Sequence, residues 1–201
     1  MALMLEYSTE LDTVNKMLGS IGQTPVNTLE VTGIGDVATA RRYLTDTLRD
    51  VQAVGWSWNT DRNYTLSPDT QGFIAVPVGA LDVDAEDKTA SVVVRRNPTT
   101  NSMSLWDGDA KTFVFVNSVD VAITWGFNFN DLPQSARTYI GTLAARRFQG
   151  QVVSSPILDR VNQEEVDSAW LMLQRGERKT RDTNVYRANT AVGGFANRRR
   201  F

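Results

Sequence analysis

Cysteine and histidine are both absent from the 201 residues. Without cysteine the chain can hold no disulfide, no thiolate metal site and no thiol nucleophile. Without histidine it also loses Ser-His and Cys-His triads, the common zinc sites and the usual proton shuttle near neutral pH. Catalysis by paired carboxylates would survive both losses, so an enzyme is disfavoured but not eliminated. There is no apolar run of membrane-spanning length and no basic stretch leading into an apolar one at the start. Neither insertion nor secretion is therefore expected, and a cytoplasm is the expected site of synthesis. Nothing in the composition implies a cofactor or metal.

What is present fits an ordinary soluble chain, with 41% apolar and 22% charged residues. The length suffices for one substantial core or two small ones. The net charge is −2, but from Arg175 onward eight basic residues stand against two acidic ones, a local +6 that leaves −8 for the rest. An acidic body with a basic end suggests an arm that docks on something acidic, including a neighbouring copy of the same chain.

The strongest periodic signal runs from Asp36 to Thr60. Val37, Ala40, Leu44, Leu48, Val51 and Val54 fall in steps of three and four, one stripe of a helix. Asp36 can cap its start, and Gly55 supplies the left-handed residue that stops it. Trp56 and Trp58 follow on alternate residues, which in an extended strand would point both indoles to one side. This stretch is expected to be the joint between a helical body and a β-rich portion. Before it, Ser8 or Thr9 can cap a helix carrying Leu11, Val14, Leu18 and Ile21, broken by Pro25. Gly33-Ile34-Gly35 with Ala38 matches the dinucleotide fingerprint G-x-G-x-x-A, but no buried parallel strand follows the helix, so a loop and helix cap is the better reading.

Beyond Asn63 the period becomes two. Short β-branched or aromatic runs appear at 64–66, 73–76, 80–83, 91–95, 103–106, 112–116 and 119–125, with Pro68, Pro77 and Pro98 between them and Asp107-Gly108 as the clearest hairpin turn. An antiparallel sheet is expected. Asp82 to Asp87 is acidic, but as a calcium loop counted from Asp82 its sixth and twelfth positions would be Asp87 and Val93 instead of glycine and glutamate. An exposed acidic turn fits better, with a weak cation site or a carboxylate pair for glycan hydrolysis as alternatives.

The helical period returns with Leu132, Ala136, Tyr139, Ile140, Leu143, Ala144 and Phe148, and Gly150 is expected to end that helix. Ser155-Pro156 opens another, with Ile157, Val161, Glu165, Ala169 and Met172 at helical spacing and Trp170 and Leu173 alongside. Past Gly176 the pattern dissolves into polar and basic residues. The flanking helices are too few to form cores separately, so they are expected to pack together around an inserted sheet. The expected fold is α+β: an antiparallel helical bundle from residues 1–62 and 130–180, an antiparallel β domain from 63–129, and an extended basic arm from 181–201. Leu44, Leu48, Trp56, Trp58, Tyr139, Leu143 and Phe148 are expected to form the core and its joint; Arg187, Arg198, Arg199, Arg200 and Phe201 are the candidate interface arm.

In this order of pieces the chain resembles the tail tubular protein A family of T7-like short-tailed bacteriophages. The likeness rests first on Glu10-Leu11, Val14-Asn15, Leu18, Ser20-Ile21-Gly22, Pro25-Val26 and Thr28-Leu29-Glu30. It continues with Ala40-Arg41-Arg42, Gly55-Trp56 and Asn59, then with Leu132-Pro133, Tyr139-Ile140 and Ala144-Ala145-Arg146-Arg147-Phe148, and with Glu164-Glu165. It thins after about Arg175. The resemblance implies a virion protein assembled in the host cytoplasm: a dodecameric adaptor and gatekeeper ring beneath the portal. Tail tubular protein B would form the nozzle below, with tail fibres docked around the junction and DNA passing through at ejection. It implies no catalytic residue. Two rival readings are a carboxylate-based hydrolase of cell-surface glycan near Asp82 to Asp87, and nucleic-acid binding through Arg198-Arg199-Arg200.

Overall fold

The computed structural model describes residues 6–30, 35–87, 89, 91–152 and 156–188, leaving aside the side chains of 152, 156–161 and 181–188. The chain divides into two compact units, one made of residues 1–48 and 128–201, the other of 49–127. Helices and antiparallel strands occur in it together, an α+β fold.

The helical unit begins with α1, Glu10–Ser20. Thr9 caps it: its Oγ1 accepts from the Asp12 N–H while the Asp12 carboxylate accepts from the Thr9 N–H, a reciprocal box that satisfies two otherwise orphaned donors. These Thr9 bonds hold the Asp12 carboxyl below its ordinary pKa, so the stabilisation they add is present above the ordinary carboxylate range and lost as pH falls through the lowered value. At the other end Gly22 takes a positive φ of 79°, and the N–H groups of Gly22 and Gln23 donate back to the carbonyls of Gly19 and Leu18, closing the helix. The buried face is Thr13, Val14, Met17 and Leu18. Met17 was not in the expected stripe.

Helix α2, Gly35–Gln52, buries Val37, Ala40, Leu44 and Val51 as its periodicity requires, together with the polar Thr47. Gly55 has the expected positive φ of 79°. Asp36 lies inside the first turn instead of capping it, and Val54, assigned to the buried stripe, is exposed because the helix stops at Gln52. Gly33 and Ile34 lie outside the described residues.

A short 3-10 turn, Phe129–Asp131, leads into α3, Gln134–Val152. Ala136, Arg137, Ile140, Gly141, Thr142, Ala144, Phe148 and Gln149 are all buried, a set too wide for one stripe. The reason is that α3 has neighbours on several sides. Gly141 faces Thr13 of α1, the Tyr139 ring lies tilted against Trp170 of α4, and Phe148 and Tyr43 of α2 meet edge to face. α1 runs alongside α3 in the same direction, with Ser8 near Gln134 and Ser20 near Gln149. α4, Pro156–Ala188, runs opposite, with Trp170 near Tyr139 and Gly176 near Ser135.

Gly150, expected to end α3, does not. α3 passes through Gly150 to Val152, and α4 passes through Gly176, so residues 181–188 are helical where extended chain was expected. Glycine costs only about 1 kcal/mol in a helix interior, less than the packing along these helices supplies. Gly176 sits 3.5 Å, as a Cβ would, from Ser135 Oγ, where α3 and α4 approach closely. Gly141 is tighter: a Cβ there would lie 2.9 Å from Thr13 Cγ2. Gly141→Val is therefore expected to cost about 1–3 kcal/mol by overpacking, read as a lower urea midpoint at unchanged slope. A wild-type midpoint would mean that α1 is not seated so closely.

The strand unit holds a three-stranded antiparallel sheet ordered β1-β5-β2 and a β3-β4 hairpin. Its strands are β1, Thr60–Leu66; β2, Ala80–Ala85; β3, Val92–Arg96; β4, Met103–Asp107; and β5, Val119–Trp125. Leu66, Ile74, Val83, Leu105, Val121 and Ile123 form its core, with Val76, Val92, Val94, Phe115 and Trp125 packed against them. The runs at 73–76 and 112–116 do not become ladder strands. They make only the single bridges Phe73 to Val114, Ala75 to Ser104 and Asp107 to Thr112. The Asp107-Gly108 turn forms, with the Asp107 carboxylate accepting from the N–H groups of Asp109 and Ala110. The regular hairpin is the other one, from β3 to β4 across 97–102, where Asn101 accepts φ 55°.

Candidate functional site

The residues expected to form a joint separate into the two units. Trp56 and Trp58 belong to the strand unit; Leu44, Leu48, Tyr139, Leu143 and Phe148 belong to the helical one.

In the strand unit, residues 57–59 form a turn, not a strand, so the two indoles are not held by a pleat. Asn59 makes the turn. Its side-chain oxygen accepts from the Trp56 N–H at 2.8 Å, and its amide donates to the Gln52 and Trp125 carbonyls at 3.0 and 2.8 Å. Its main chain adds bonds to Trp56 and Trp125. Gln52 repeats the device, exchanging two bonds with the main chain of Phe127 at 2.8 and 3.0 Å. Both amides are almost completely buried. Together they close the place where the chain enters the unit, near residue 52, against the place where it leaves, near 127. Trp56 is buried over this closure, its Nε1 donating to the Val51 carbonyl at 2.7 Å. Trp58 is half-buried, and its Nε1 has no hydrogen-bond partner among the described residues. Hydrophobic periodicity could not reveal Gln52 or Asn59, since a polar residue scores as surface whatever its burial. The signal available was an asparagine immediately before a strand, a common turn-former.

In the helical unit Leu44 and Phe148 are buried, while Leu48, Leu143 and Tyr139 are half-buried. Burial raises the Tyr139 phenol above its ordinary pKa, Arg147 opposing and Asp167 adding to that shift. A buried cation was missed altogether. Arg137, 7% exposed, donates to the main-chain carbonyls of Leu132, Ser8 and Asn130 and covers the Tyr7 ring at 5.1 Å. It fastens the segment before α1 to the start of α3.

Two clefts flank the Thr138 and Thr142 ridge of α3. Toward α1 lies a space of about 200 Å³ lined by Asp12, Thr13, Lys16 and Arg137 among others. Toward α4 lies a wider one of about 420 Å³, with Glu164, Glu165, Ser168, Ala169 and Met172 on its far wall. Glu164 and Glu165 are exposed, and so are Leu171 and Met172, at 52% and 58%. In the expected arm, Arg187 lies in α4; Arg198, Arg199, Arg200 and Phe201 lie outside the described residues.

Asp82 and Asp84 lie on the exposed side of β2, alternating with buried Val83 and Ala85, and Asp87 is tied up by the Thr89 N–H and hydroxyl. Among the described residues no three acids converge in a metal-holding group. No helix of the described residues is long and apolar enough to cross a membrane. The strand after α2, β1, pairs antiparallel with β5, which is not the frame a dinucleotide fingerprint needs.

A search of curated proteins finds no match. A family model described as "Tail tubular protein" matches residues 11–183, a span that includes all ten elements from α1 to the greater part of α4.

Proposed function

We propose, from the premise that this chain belongs to the tail tubular protein family and is a structural component of a phage tail, that it is the adaptor between portal and tail nozzle. In this reading copies associate side by side into a ring, a dodecamer as the resemblance implies. The portal sits above, tail tubular protein B below, tail fibres dock around the junction, and DNA passes through the centre at ejection. The observation that carries the reading is the extent of the family match, which spans both units in one alignment. Closed rings suit such a role because one subunit interface, repeated, sums modest contacts into a stable collar. The −8 charge of the chain before Arg175 suits a channel that DNA must slide past, since holding phosphates takes many Lys or Arg contacts.

Electron microscopy of the purified protein, alone and mixed with portal, tests this. Rings that cap the portal are the expected result. Monomers that leave the portal bare would sink it.

A further inference from the structure

We propose that the cleft between α3 and α4 is the docking site for the basic C-terminal segment, residues 189–201, of a neighbouring copy, with Glu164 and Glu165 receiving Arg198, Arg199 and Arg200. The inference rests on the ring reading and adds to it the contact that joins one subunit to the next.

The cleft has the chemistry of a receptor for a basic, partly apolar peptide. Part of its lining is small and uncharged: Thr138 and Thr142 from α3, Ser168 and Ala169 from α4. Two acids stand exposed on one wall, and among the described residues no basic side chain pairs with either. Met172 lines the cleft yet is 58% exposed, an apolar surface left uncovered in a single chain. Residues 189–201 supply the complement, three arginines, Val192, Phe195 and Phe201, and no acid. Arginine forks suit paired carboxylates, and the apolar side chains suit the uncovered methionine.

Chain length argues for a neighbour's segment over the chain's own. From Glu165 to the last described residue of α4, Ala188, the helix carries the chain about 35 Å away at 1.5 Å per residue. Going back to Glu165, the ten residues from Ala188 to Arg198 span at most about 33–36 Å fully extended. Arg200 lies twelve residues on, so the chain's own arginines reach Glu165 only if the segment is drawn out well past the roughly 20 Å r.m.s. span of a flexible chain of that length, a cost that a neighbour's cleft need not impose. A ring of identical copies offers the same cleft on the next subunit, and a contact made head to tail in this way closes on itself.

Charge reversal on each side and then on both provides the test, with full-length protein followed by sedimentation velocity at low and high salt. E164K with E165K, and separately R198E with R199E and R200E, should each weaken self-association about tenfold or more. The fivefold variant carrying both sets should recover it. Failure of that recovery, or association unchanged in either one-sided variant, would overturn the inference while leaving the ring intact. A wild-type chain that stays monomeric would overturn the ring reading as well. Because the chain has no native cysteine, S168C with F201C gives an independent readout under oxidation. Disulfide-linked multimers are expected; a bond formed within single chains would show that the segment folds back on its own copy and would refute the proposal.

Discussion

Asn59→Ala is expected to destabilise the strand unit by about 3–5 kcal/mol, as large an effect as a single buried polar residue gives. Three side-chain hydrogen bonds disappear together: one from the Trp56 N–H and two to the carbonyls of Gln52 and Trp125. The site is 1% exposed, so water cannot take over those partners without opening the turn. Each orphaned buried group costs about 1–3 kcal/mol, far more than the fraction of a kcal/mol that a favourable local turn residue would supply. Asn59→Asp should be nearly as harmful, because it keeps the acceptor for Trp56 but sets a carboxylate against two carbonyl oxygens. Four of the five tryptophans, Trp56, Trp58, Trp106 and Trp125, lie in this unit. The drop should therefore appear as a lower midpoint in tryptophan fluorescence. As a control, Thr65→Ala removes one exposed bond to Asp120 and should move that midpoint by no more than about 0.5 kcal/mol. Equal behaviour of the two variants would mean that the Asn59 network does not hold the turn.

The second large effect lies in the helical unit. Phe148 is completely buried on α3, edge to face with the Tyr43 ring at 6.2 Å. Phe148→Ala is expected to cost about 3–5 kcal/mol, the transfer term plus the cavity left between α2 and α3. Phe148→Leu, which keeps most of the volume, should cost much less, roughly 1–2 kcal/mol. Loss of helical circular dichroism at lower urea for the alanine variant is the measurement. An unchanged midpoint would place Phe148 outside the core. For comparison, a ring interface of many repeated weak contacts has no single residue whose loss should matter as much. That contrast separates variants that fail to fold from variants that fold but do not assemble.

The helices and their starts were legible because their signals are local. Thr9, one of the two caps offered for α1, Pro156 at the first turn of α4, and Gly55 past the end of α2 act through atoms a few residues away. The stripe of α2 was legible down to Leu44 and Val51, since a helix with one buried face shows it in its spacing. The stripe of α3 was read too narrowly, because a helix covered by α1, α2 and α4 buries Thr142, Gln149 and Arg137 as well as its apolar residues. The alternation at 73–76 and 112–116 resembled strands. Only the bridge between Phe73 and Val114, beside which a Cβ on Gly72 would come within 2.8 Å of the Val114 Cγ1, shows why the two runs meet as a close crossing of two loops. The acidic run at Asp82 to Asp87 was expected to be an exposed turn; Asp82 and Asp84 are exposed but lie on the outward positions of β2, and only Glu86 and Asp87 follow the strand.

The amino-acid sequence by itself determined what chemistry is unavailable, where helices and turns begin, that helical segments flank a run of antiparallel strands, and the family to which the chain belongs. Those properties depend on composition, on contacts within a few residues, or on the order of motifs. Tertiary structure alone decided which polar side chains go inside, that Gly150 and Gly176 do not stop their helices, and that an acid-lined cleft forms where α4 passes α3. Each of those outcomes depends on partners brought close by folding. Asn59 finds Trp125, Arg137 finds Ser8 and Gly141 finds Thr13 across 66, 129 and 128 residues of chain, distances over which no local preference can act.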